Sequence, residues 1–86
     1  MDKKIVMYST EWCGDCKIAK RFFQQHNMEY KEIDIDNDEQ SAQKVIELSG
    51  GRRVVPTFFI QHSKHKSTIL HNPPLSMLAE ELGVNY

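Results

Sequence analysis

The stretch Tyr8-Ser9-Thr10-Glu11-Trp12-Cys13-Gly14-Asp15-Cys16-Lys17 decides the reading of this chain, because it sets both cysteines three positions apart where one pattern gives way to another. Upstream, Lys4 to Tyr8 is apolar on both faces, as a central strand covered from each side would be. Downstream, Ile18, Ala19, Phe22 and Phe23 fall at helical spacing, and Asp15 in the first turn suits the positive end of a helix dipole. A helix from about Cys13 to His26 is expected. Two cysteines placed at random in a chain of this length fall three apart only about 2% of the time. A structural staple is a poor use of that spacing, since chain entropy gives a four-residue loop only about 2 kcal/mol, against about 3 for a loop of fifteen.

Working outward, Tyr30 to Ile35 alternates, with Ile33 and Ile35 on one face, and reads as a second strand. The acidic Asp34 to Glu39 segment reads as a solvated strand exit and helix cap. Ala42, Val45, Ile46 and Ser49 share one face of a second helix that Gly50-Gly51 ends. Val54 to Ile60 is a third strand interrupted by Pro56, which cannot donate a ladder hydrogen bond. Gln61 to Lys66 reads as a hairpin turn and Ser67 to Leu70 as a fourth strand. Asn72 is a candidate cap for a last helix in which Leu75, Leu78, Ala79 and Leu82 share a face before Gly83. Phe22, Phe23, Phe58 and Phe59 are core candidates. His26, His62, His65 and His71 lie near element ends, where solvation without a catalytic role is expected.

The 86 residues, 40% hydrophobic and 27% charged, suit one globular domain, residues 1–86, that buries roughly 64% of its unfolded surface. A net charge of −1 excludes a broad nucleic-acid field. The longest mostly apolar run falls far short of the ~20 residues that span a bilayer, so no membrane partner is expected. The four apolar residues from Ile5 to Tyr8 are also short of the about 7 to 15 of a secretory signal. The expectation is a cytoplasmic monomer.

In open α/β sheets the reactive crevice lies beyond the carboxyl ends of the strands, where a helix N-terminus presents free N–H groups to an anion. Thiol–disulfide exchange needs a thiolate, and Cys13 is placed where the helix stabilises one. Cys16, one turn inside, is placed to resolve a mixed disulfide formed on Cys13. Lowering a thiol pKa from 8.5 to about 6.5 raises its thiolate fraction at pH 7 roughly 25-fold, while nucleophilicity falls about 8-fold, so attack gains only about threefold. The larger benefits are a better leaving group and a stabilised dithiol.

That run, followed by Arg53-Val54-Val55-Pro56-Thr57, resembles the glutaredoxin family of the thioredoxin fold over nearly the whole chain. The resemblance implies an α/β, thioredoxin-like fold with a four-stranded mixed sheet flanked by three helices. It further implies a cis bond between Val55 and Pro56, with Pro56 facing the cysteines. By similarity the Val55 backbone and Pro56 form one wall of the site and Trp12 another, and Arg53 is a candidate for a substrate carboxylate. Where many glutaredoxins carry N–H donors for the γ-glutamyl carboxylate, Leu70-His71-Asn72-Pro73-Pro74 removes two donors. This combination is similar to mycoredoxin-like redoxins of bacteria.

The activity expected is reduction of protein disulfides, or of mixed disulfides with low-molecular-weight thiols, by the Cys13/Cys16 dithiol. No tightly bound cofactor and no metal are expected, and glutathione, mycothiol or bacillithiol would be the co-substrate. One alternative is a redoxin reduced by thioredoxin reductase that supplies ribonucleotide reductase. Another is an iron–sulfur or metal carrier, although a tetrahedral zinc site wants four ligands and no second cysteine pair completes one.

Overall fold

A computed structural model describes residues 3–85. It contains β1 (Lys4–Ser9), α1 (Gly14–Gln25), β2 (Lys31–Asp34), α2 (Glu39–Leu48), β3 (Thr57–Ser63), β4 (Lys66–His71) and α3 (Leu75–Leu82). The strands form one sheet in the order β2-β1-β3-β4, with β1 parallel to β2 and antiparallel to β3, and β3 antiparallel to β4. This is the expected mixed sheet.

The two-faced apolar run of β1 is explained by a layer on each side. Ile5 and Met7 join Ala19, Phe22 and Phe23 of α1, Phe58 and Ile60 of β3, and Leu78, Ala79 and Leu82 of α3. Tyr8, one residue out of phase with Met7, packs with Ile35 and with Ala42 and Val45 of α2. Because side chains alternate along a strand, one sequence serves both cores. The Phe23 ring, fully buried, meets those of Phe58 and Tyr30. None of the described helices is long and apolar enough to cross a membrane.

The structure corrects several boundaries. β3 begins only after Pro56, whose missing N–H ends the ladder, and it runs on through Gln61–Ser63, so Lys64-His65 make the turn. β2 is shorter than Tyr30 to Ile35, although the Ile35 N–H still reaches the Ser9 carbonyl at 2.9 Å. Asp38, in the acidic segment, is the α2 cap, its carboxylate accepting from the Ser41 N–H. Asn72 does not cap α3: two prolines separate it from the helix, its φ is 43°, and its N–H donates to the Pro56 carbonyl at 2.7 Å. Nor are all histidines simply solvated. The His62 Nε2 lies 2.6 Å from Glu81 Oε2, and the His71 ring pairs with the Thr57 hydroxyl, because β3 and β4 carry them against α3 and against each other. Glu81 is held below the usual carboxylate range, first by the Thr68 hydroxyl donating to it, with His62 adding to the effect against a burial cost.

Candidate active site

Cys13 is the N-cap of α1, with extended backbone angles, and the first helical turn follows at Gly14. Its Sγ accepts a hydrogen bond from the Cys16 N–H at 3.0 Å. The sulfur therefore stands where a serine or aspartate oxygen stands in other helices, against N–H groups that lack an intrahelical partner. The two cysteines are joined as a disulfide with a Cα separation of 5.2 Å. Cys13 is 5% exposed and Cys16 fully buried, so Cys13 is the sulfur nearer to solvent. Burial raises a thiol pKa, whereas the helix end and a direct N–H donor lower it. A charge-assisted bond of about 1.5–3 kcal/mol, with helix-end stabilisation of about 0.3–1 kcal/mol, favours the anion.

The β1–β3 register pairs Tyr8 with Thr57, which sets Pro56 beside the end of β1 from which the cysteine segment departs. The Val55–Pro56 bond is cis. Val55 is half-buried against the α2 side of the sheet, and among the described residues no hydrogen bond ties its N–H or C=O to another backbone group. A groove of about 360 Å³ runs from Asp15 and Ile18 on α1 past Pro56 to Asn72, Pro73 and Leu78. Its apolar floor adjoins the first turn of α1.

Trp12 is 68% exposed, unusual for so large an aromatic, and its indole N–H donates to Asp36 Oδ2 at 2.8 Å. Arg53 reaches the same carboxylate, its Nη2 donating to Asp36 Oδ1 and, at 3.4 Å, to the Ile35 carbonyl. Asp36 is lowered from the ordinary aspartate value, first by the Arg53 hydrogen bond and then by that of Trp12. The structure thus brings Trp12 and Arg53 together through a residue that sequence reasoning absorbed into a solvated acidic exit. No local signal marks Asp36, since its partners lie 24 and 17 positions away.

A second network ties α1 to the sheet. The Ser9 hydroxyl donates to Glu32 Oε2 at 2.6 Å, and Lys20 Nζ lies 2.6 Å from the same oxygen. Burial alone would raise the Glu32 pKa, but the hydrogen bonds from Lys20 and Ser9 and the lysine charge bring it below its ordinary value. The buried Thr10 hydroxyl has no hydrogen-bond partner among the described residues.

Comparison with known proteins places this architecture. Mycoredoxin 1 of Corynebacterium glutamicum is 30% identical over 66 residues, 77% of this chain and 81% of the relative. A Mycobacterium tuberculosis protein named as a glutaredoxin is 36% identical over 53 residues, 62% of this chain; the match spans 63% of that protein's length, under two thirds. The glutaredoxin-like protein NrdH of Lactococcus lactis is 35% identical over 52 residues, 60% of this chain and 69% of the relative. The crystal structure of a thioredoxin-like protein superposes with a TM-score of 0.78 at 21% identity, over 94% of this chain and 96% of that one, which shows the shared fold. The sequence model of the glutaredoxin family matches residues 5–65. With its cysteine pair at the head of α1, the chain belongs to the glutaredoxin family.

Proposed function

We propose that the protein reduces protein disulfides, or mixed disulfides between proteins and low-molecular-weight thiols, with Cys13 as nucleophile and Cys16 as resolving thiol. The Cys13 thiolate attacks one sulfur of the substrate disulfide, forming a mixed disulfide and expelling the other sulfur as a thiolate. Cys16, giving its proton to solvent, attacks the Cys13 sulfur and releases the second substrate thiolate. The substrate gains two electrons and the protein becomes the Cys13–Cys16 disulfide; two equivalents of small thiol, or a reductase, restore the dithiol. Trp12, the Val55 backbone, Pro56 and Arg53 form the surface on which the substrate lies.

The observation that carries this reading is the Cys13 sulfur at the N-cap of α1, receiving the Cys16 N–H. The second reading, a redoxin served by thioredoxin reductase, draws on similarity to the L. lactis protein. Reduction of the oxidised protein by glutathione, mycothiol and bacillithiol, each run beside NADPH and thioredoxin reductase, separates them. Rapid reduction by a small thiol is expected. Reduction by the reductase alone would overturn the first reading in favour of the second, and failure of every donor would overturn both.

A further inference from the structure

We infer that Asp36 sets the charge selectivity of the Cys13 site: by occupying Arg53 it withholds that cation from substrates, so the site disfavours thiols bearing a carboxylate relative to neutral or cationic ones. This inference rests on the exchange reaction proposed above.

Both oxygens of the Asp36 carboxylate are committed, Oδ2 to the Trp12 indole N–H and Oδ1 to Arg53 Nη2. A free guanidinium held near Trp12, the neighbour of Cys13, would be a ready fork for a carboxylate. Here the fork already holds one, and that carboxylate is tethered by the chain and secured by a second donor. An incoming carboxylate must displace an internal competitor that loses no translational freedom on binding. The surroundings do not compensate. Of the exposed charges that flank the cysteines, Glu11 and Asp15 are acidic and outnumber the single cation, Lys17. In the groove beside α1, the lining prolines Pro73 and Pro74 have no N–H to offer an anion. The Cys16 N–H, at the helix end, is engaged by the Cys13 sulfur.

The test compares mercaptopropionate, mercaptoethanol and cysteamine as reductants of the oxidised protein. They carry a carboxylate, no charge and an ammonium. Asp36→Asn retains a side-chain oxygen for the Trp12 N–H while removing the anion from Arg53, so it separates charge from positioning. For each variant the rate with mercaptopropionate is divided by the rate with mercaptoethanol, which cancels changes in the disulfide itself. Asp36→Asn is expected to raise this quotient about three- to fivefold at low salt, the scale of exposed charge pairs, and to lose the gain in high salt. The cysteamine quotient should fall. Adding Arg53→Gln should return the mercaptopropionate quotient to the wild-type value. A quotient unmoved by Asp36→Asn, or a gain that survives Arg53→Gln, overturns the inference. If the wild-type protein reacts with none of the three thiols, it is the exchange reading that fails.

Discussion

Replacing Cys16 by serine should convert a transient mixed disulfide into a stable one. Cys13 caps α1 and Cys16 lies in its first turn, with their Cα atoms 5.2 Å apart, so the resolving sulfur reaches its target without any backbone rearrangement. Well-oriented intramolecular pairs reach effective concentrations of about 10⁵ M and above; even a value near 1 M would exceed about 1 mM of external thiol by roughly a thousandfold. In Cys16→Ser that advantage disappears while the backbone N–H that supports the Cys13 sulfur remains. The adduct with thionitrobenzoate should therefore persist at least about a thousandfold longer in the variant, once mild external thiol has been added. Release of the coloured thiolate in a stopped-flow instrument, with intact-mass analysis of quenched samples, reads both lifetimes. Equal lifetimes in the two proteins, or an adduct trapped by Cys13→Ser rather than by Cys16→Ser, would refute the assignment of roles.

Other consequences follow from the packing and charge. Glu32 titrates below its ordinary value of 4.5 in the folded protein, so the unfolded chain binds its proton first on acidification. Its stabilisation is then complete above pH 4.5 and lost as pH falls through the lower folded value. Glu32→Gln should flatten the acid limb of stability measured by urea unfolding, by less than about 1 kcal/mol because the pair is partly exposed. Phe23→Ala, at the meeting of α1, β3 and the Tyr30 ring, should cost about 3–5 kcal/mol in the same assay. Thr10→Val exchanges a buried hydroxyl without a partner for a methyl group, and should leave the oxidised protein as stable as before or up to about 1 kcal/mol more stable.

What the sequence disclosed, and what it concealed, divides along the range of the interactions. The cysteine at the head of α1 was legible because strand end, cap and first turn are all set by neighbours within a few positions. The two apolar faces of β1 announced a layer on each side. Pro56 announced a break in the third strand, although the segment before it was assigned to the ladder; a missing N–H ends pairing on its own side of the proline. Asp36 was passed over because an aspartate in an acidic turn looks the same whether it faces water or clasps two side chains brought from α1's approach and from the segment before β3. The His62–Glu81 and Thr57–His71 pairs were hidden for the same reason, the first being made only when the hairpin docks on α3 and the second when the hairpin closes. Polar residues at Gln61–Ser63 suggested a turn, yet the β3–β4 ladder carries them, and His62 finds a partner in Glu81 of α3.

The central claim is that the opening turn of α1 stabilises a thiolate on Cys13. Alkylation of the reduced protein by iodoacetamide across a range of pH, with the modified residue identified by mass spectrometry, tests it directly. The prediction is that Cys13 reacts first and titrates clearly below the ordinary cysteine value of about 8.5. Titration of Cys13 at or above that value would contradict it.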